Sequence, residues 1–273
     1  GTHSITATYS GDANHEAATA PALSQVIAPL SPGLSLASSL NPATLGESVT
    51  FTATLTGGSG PAGTLTGGTA PTGTVEFFDG ATSLGSSALS GGAATLDTSA
   101  LTTGTHSITA SYSGDANHEA ASAPALSQVI APLSPGLSLA SSLNPATLGD
   151  SVTFTATLTG GSGPAGTLTG GSTPTGTVEF FDGATSLGTS ALSGGAATLD
   201  TSALTTGTHS ITASYSGDAN HEAASAPALS QVIAPLSTGL SLASSLNPAT
   251  VGDSVTFTAT LTGGSAPVGT LTG

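Results

Sequence analysis

GTHSITASYSGDANHE, residues 104–119, is the stretch from which the architecture follows. His106, Ile108, Ala110 and Tyr112 alternate with Ser107, Thr109 and Ser111, the period of a strand with one buried face. Gly-Asp-Ala-Asn then breaks the pattern with turn chemistry. The same stretch opens the chain at residues 1–16 and returns at 207–222, an offset of 103 residues both times. A fixed period of that kind marks an array of domains. Laying 1–103 over 104–206 leaves six mismatches, Thr8/Ser111, Thr19/Ser122, Glu47/Asp150, Thr69/Ser172, Ala70/Thr173 and Ser86/Thr189. All are small or conservative, so the chain is a homogeneous array.

The 273 residues hold two full units and a fragment at each end. Residues 1–28 read as the C-terminal strands of a truncated domain, 34–131 and 137–234 as complete domains, and 240–273 as the N-terminal strands of another. The chain is therefore expected to be a window on a longer protein. No signal peptide or apolar run of membrane-spanning length occurs in it.

Fifteen Asp and Glu stand against no Lys or Arg. Nucleic acid is excluded as a partner, because phosphates need cations, and an anionic membrane surface is disfavoured. Each carboxylate must be solvated, hydrogen-bonded or bound to metal. The absence of cysteine removes disulfides and thiol chemistry. The Gly, Ala, Ser, Thr and Leu content is of low complexity, but the alternation of the segments argues for folded strands rather than disorder.

Within one unit, residues 34–40 (LSLASSL) alternate and end at Asn41-Pro42, a turn signal. Residues 48–56 (SVTFTATLT) turn Val49, Phe51, Ala53 and Leu55 inward and threonines outward. Residues 57–71 form a long Gly-rich loop whose GTLTGG core is compatible with a short extra strand. Strands follow at 74–78, 82–89 and 93–98, joined by Asp79-Gly80 and Gly91-Gly92 turns. Residues 105–112 and 125–130 complete the set, and APLSPG (131–136) is a short linker whose prolines limit swing. Seven short strands in about a hundred residues predict an all-β fold of tandem Ig-like antiparallel β-sandwiches arranged as a linear rod.

Three blocks carry a family resemblance: NPATLGESVTFTATL (41–55), PTGTVEFFDGATSLG (71–85) and LTTGTHSITASYSGDAN (101–117). In order and spacing they resemble the bacterial Ig-like domain of group 3. The resemblance implies tandem modules in large secreted or surface-attached bacterial proteins, acting as stalks or adhesin spacers. It places the chain outside the cytoplasm, at the cell surface or beyond. The 57–71 loop is longer than the resemblance leads one to expect.

Asp115, Asn117 and Glu119, repeated as Asp218, Asn220 and Glu222, offer oxygen ligands at a spacing that suits calcium at a domain junction. The competing reading is a turn held by its own Asp and Asn; the full twelve-residue calcium signature is absent. Apart from calcium, no cofactor is implied. His106 is expected at the inner edge of its strand, and Tyr112 in the core with its hydroxyl reaching a loop. Gln128, the single glutamine of its unit, lies in the last strand. Some Ig-like adhesin domains ester-link a first-strand threonine to such a glutamine, but here that strand offers only Ser35, Ser38 and Ser39.

No Ser-His-Asp set, nucleophile elbow or zinc signature is present, and near-identical copies make no distinct cleft, so the chain reads as a non-enzyme. The leading expectation is a structural extracellular fibre or stalk whose partners are neighbouring repeats and copies of itself. The alternative is an adhesin repeat region that presents or forms a glycan- or protein-binding site.

Overall fold

The computed structural model describes residues 1–56, 70–160 and 173–263. The long loop expected at 57–71 lies, except for its last two residues, outside the described residues. The chain divides into two compact units, Gly1–Ala131 and Pro132–Gly273, each containing one complete sandwich.

In the first unit, Val49–Thr56 has the cleanest alternation, and Val49, Phe51, Ala53 and Leu55 are all buried. It is the centre of a three-stranded antiparallel sheet, flanked by Gly33–Ser38 and Ala93–Thr98. The facing sheet runs Ala43–Thr44, Leu126–Ala131, Gly104–Tyr112, Thr74–Asp79, Thr82–Ala88, and Ala121–Ser122 also pairs with Gly104–Tyr112. All pairings are antiparallel except that of Ala43–Thr44 with Leu126–Ala131. Val75, Phe77, Ile108, Ala110 and Tyr112 project from this sheet against Phe51 and its neighbours, forming the sandwich core. The second unit repeats the arrangement around Phe154, Phe180, Ile211 and Tyr215.

The first strand ends earlier than its sequence suggests, at Ser38, because the chain there crosses from one sheet to the other. Asn41, joined to Pro42 by a cis peptide bond, aligns its amide with the last strand: Nδ2 donates to Ser127 O at 2.7 Å, and Oδ1 accepts from Val129 N at 3.0 Å. Buried Gln128 fastens the same crossover. Its Oε1 accepts from the Ser38 hydroxyl at 2.6 Å, and its Nε2 donates to Leu40 O at 2.9 Å. The Gln128 bonds satisfy an amide that would otherwise be stranded inside the sandwich.

The terminal segments carry the same sequence without the rest of the sandwich. Thr2–Ile5 pairs with Leu23–Val26, and Thr8–Tyr9 with Ala18–Thr19. Thr238–Ser244 pairs with Phe257–Gly263. Their apolar faces are exposed: Tyr9 and Phe257 face solvent, whereas their counterparts Tyr112 and Phe154 are fully buried.

Phe51→Ala should destabilise its own sandwich by about 3–5 kcal/mol, the usual range for emptying an aromatic core position. The unit built around Phe154 should keep its stability. Urea unfolding followed by fluorescence and circular dichroism should then split into two transitions; a single transition shifted as a whole would contradict independent cores.

Candidate functional site

Residues 114–119 connect the long strand Gly104–Tyr112 to Ala121–Ser122. Gly114 begins the turn at φ +84°, where a Cβ would come within 2.8 Å of His118 O and 2.9 Å of Ala120 N. Only glycine fits there without displacing backbone.

Asp115 organises the remainder of the turn. Its N–H donates to His118 O at 2.9 Å. Its Oδ1 accepts from Asn117 N at 2.8 Å, His118 N at 2.9 Å and His118 Nδ1 at 2.8 Å. Its Oδ2 accepts from Thr72 N at 2.8 Å and Thr72 Oγ1 at 3.1 Å. The Thr72 amide leads this set of donors, which holds the Asp115 carboxyl well below the usual carboxylate range despite some burial. At Asp218 burial pushes the carboxyl up, but donors from Thr175, Asn220 and His221 together hold it low. Tyr112 reaches the same loop, as expected, donating its hydroxyl to Thr72 O at 2.9 Å. Burial and the nearby Asp218 push the equivalent Tyr215 hydroxyl up to about 12.

His118 is buried against this turn. Its Nδ1–H donates to Asp115, and its Nε2 has no hydrogen-bond partner.

The backbone around His118 holds a second segment, residues 30–31, from the linker that leads into the domain. Leu30 N donates to Asn117 O and Glu119 N donates to Leu30 O, both at 2.8 Å, forming a parallel bridge across His118. The Ser31 hydroxyl donates to the Glu119 carboxylate. In the second unit Leu133 bridges Asn220 and Glu222 at 2.8 Å, Ser134 bonds Glu222, and the Leu133 side chain is buried.

The candidate calcium ligands are therefore placed separately. Asp115 and Asp218 direct both carboxylate oxygens at amides, a hydroxyl and an imidazole, while Glu119 and Glu222 turn to the linker serine. Asn117 and Asn220 contribute their main-chain carbonyls to the linker. Among the described residues no group of three or more His, Asp or Glu side chains is gathered to hold a metal ion. The Asp115 and Asp218 carboxylates thus take part in a hydrogen-bonded turn.

What sequence reasoning missed is the clasp between loop and linker. Its only signal is that Pro-Leu-Ser recurs at a constant 88 positions before Asn-His-Glu. Ser38 meets Gln128 as a hydrogen-bond partner, within the crossover between the sheets.

His106 forms the other polar junction of the unit. Its Nδ1 lies 2.7 Å from Asp79 Oδ2 and its Nε2 2.8 Å from Thr102 O. A carbonyl can only accept, and so can a carboxylate, so both ring nitrogens donate and the imidazole is a cation. Burial works against that charge, but the Thr102 carbonyl and Asp79 outweigh it and raise the pKa. At His209 the Thr205 carbonyl leads, seconded by Asp182, with the same result. Among the described residues, the charge that raises His106 is that of Asp79, and the charge that raises His209 is that of Asp182.

The family model described as "Bacterial Ig-like domain (group 3)" matches residues 36–131 and 139–234. A search of the curated proteins finds no match. Among solved structures, the Escherichia coli adhesin FdeC is 19% identical over 87% of this chain and 76% of that one, with a TM-score of 0.31. The Yersinia pseudotuberculosis adhesin InvE is 16% identical over 74% of this chain and 58% of its own, at 0.32. The fibronectin(III)-like modules of Clostridium thermocellum CbhA are 15% identical over 74% and 94%, at 0.27. Likenesses this distant carry no weight for function.

The two polar junctions set opposite pH limits. Raised folded-state values at His106 and His209 give a stabilisation complete below the ordinary 6.5 and lost as pH rises through the folded values. Depressed values at Asp115 and Asp218 give one present above the ordinary 3.8 and lost as pH falls through theirs. Stability should thus be greatest between 3.8 and 6.5. The urea midpoint should be higher at about pH 5.5 than at about pH 8.5. The double variant His106→Gln, His209→Gln should flatten that difference, and an unchanged difference would refute the cationic assignment.

Proposed function

The chain belongs to the bacterial Ig-like domain family, group 3, and from that premise we propose that it is the stalk or fibre region of an extracellular bacterial protein, built to associate with copies of itself. The observation that carries this reading is the equivalence of the two units. The same side chains form the same bonds at nearly the same lengths, from Asn41 and Asn144 at the crossover to His106 and His209 at the polar junction. The crossover, the turn at 114–119 and the His106 junction each end in structural hydrogen bonds. A repeat under selection for a particular ligand would present its own surface, whereas a repeat under selection for length and regularity does not need one. Group 3 Ig-like domains are typically found at the surface or outside the cell. Among the described residues no helix is long and apolar enough to cross the membrane.

Hydrogen bonds, not calcium, hold the junction loops in this reading. Negative-stain electron microscopy of the 273-residue chain, in calcium and in chelator, tests both parts. Ordered fibres or sheets in both conditions are the expected outcome. Separate particles in both would overturn self-association. Order that disappears in chelator would restore calcium at Asp115, Asn117 and Glu119 and their copies. Retention of the chain on immobilised bacterial or host glycans would favour an adhesin that forms its own binding site.

A further inference from the structure

The two sheets of the first complete sandwich end in four edge strands: Gly33–Ser38 and Ala93–Thr98 in one, Ala43–Thr44 and Thr82–Ala88 in the other. Three of these carry a feature that discourages pairing with a further strand. Ala43–Thr44 is only two residues long. Thr82–Ala88 lies opposite a register shift between Phe77 and Phe78 and contains Gly85 at φ +126°, a bulge that bends the edge. Ala93–Thr98 bears the exposed Asp97. Gly33–Ser38 has none of these: its register with Val49–Thr56 is unbroken, and it contains neither a charge nor a proline. We propose that this edge, and its counterpart Gly136–Ser141, pairs antiparallel with the same edge of a second copy of this chain. The proposal rests on the self-associating reading of the chain and names the surface through which it occurs.

The backbone is arranged for such a pairing. Ser39 N donates to Thr50 O at 3.0 Å, and Ser35 opposite Thr54 and Ala37 opposite Thr52 share its phase. In an antiparallel ladder the residues between such pairs turn their N–H and C=O groups the other way. The central strand shows this, since Leu55 N donates to Gly92 O at 2.9 Å on its far side. Leu34, Leu36 and Ser38 therefore direct main-chain groups away from Val49–Thr56, where no strand among the described residues pairs with them. The second unit keeps the same phase, with Ser142 N donating to Thr153 O at 2.9 Å.

This pattern is complementary to itself. A two-fold axis at Leu36 sets Leu36 opposite Leu36 of the second copy, and Leu34 opposite its Ser38, each pair exchanging N–H and C=O. On the solvent face Ser35 then meets Ala37, and both are small and uncharged. The Leu34 and Leu36 side chains stay packed in their own sandwich, so pairing extends the sheet without opening the core.

Charge favours the same edge. A net charge of −15 repels copies in general, but residues 17–46 and 120–149 contain no Asp, Glu or His. Gly33–Ser38 and Gly136–Ser141 lie inside those stretches, so the new ladder sets no carboxylate opposite another. The contact is isologous and closes at each edge. A chain with two such edges can still bridge two others, so association continues from copy to copy.

Sedimentation velocity of the 273-residue chain over a range of concentrations tests the proposal. Ala37 and Ala140 are exposed, so Ala37→Glu with Ala140→Glu should leave the thermal unfolding of both sandwiches unchanged. It should weaken association by about tenfold or more, because the added carboxylates enter the new ladder. Thr95→Glu with Thr198→Glu adds the same charge to the opposite edge of the same sheets and should weaken association far less. Amide hydrogen exchange gives a second readout: the Leu36 and Leu139 N–H groups should slow on association, and those of Thr95 and Thr198 should not. Equal weakening by the two pairs of substitutions would overturn the edge as the interface while leaving self-association standing. So would Leu36 and Leu139 amides that exchange alike in monomer and assembly. A chain that stays monomeric at every concentration would overturn the edge pairing together with self-association.

Discussion

Fifteen carboxylates in a chain without lysine or arginine have no such cation to pair with, so a carboxylate drawn into the fold must be held by amides, hydroxyls and imidazoles, and the Asp115 carboxylate is where the rest of the unit depends on that constraint. It gathers donors from two loops, fixing the turn at 114–119 and, through Thr72, the approach to the strand Thr74–Asp79. Tyr112 closes the same circuit from the core by donating to Thr72 O. A carboxylate surrounded by amide donors needs no cation, since partial charges from several N–H groups perform the same task. The consequence reaches beyond the turn. Because Asp115 holds the loop in one conformation, Asn117 O and Glu119 N face outward at a fixed separation, and the entering linker can pair with them.

The other polar junction solves the same problem differently. Asp79 takes one of the few cations this composition allows, an imidazolium, and His106 spends its second N–H on Thr102 O. Its ring thereby ties the Asp79-Gly80 hairpin to the connection that precedes Gly104–Tyr112. A lysine would supply one flexible charge, whereas the imidazole supplies two donors in fixed opposed directions. That geometry is suited to joining two loops across a strand.

Most of the sandwich was legible in the sequence because its strands have a buried face: Val49, Phe51, Ala53 and Leu55 announce their orientation by alternation alone. Ala43–Thr44 and Ala121–Ser122 were not legible, since two residues carry no period and owe their pairing to the crossover and the turn beside them. The turn reading of Asp115 could be made from Asp-x-Asn spacing. The direction of Glu119 could not, because it is set by Ser31, which lies 88 positions away and looks like ordinary linker. His118 was obscure for a related reason. In isolation it is a polar residue in a loop, and it is buried beside a bridging leucine from the linker.

Near-identity of the repeats gives the clasp an unusual property. A Pro-Leu-Ser segment cannot distinguish its own loop from that of any other unit by sequence, so the cis pairing is selected by tethering. Covalent attachment through one domain keeps the local concentration of the correct segment far above that of a neighbouring chain. The net charge of −15 adds a general repulsion that discourages side-by-side contact between copies. Repeats made nearly alike thus leave chain connectivity, rather than differences among side chains, to decide which segment pairs with which loop.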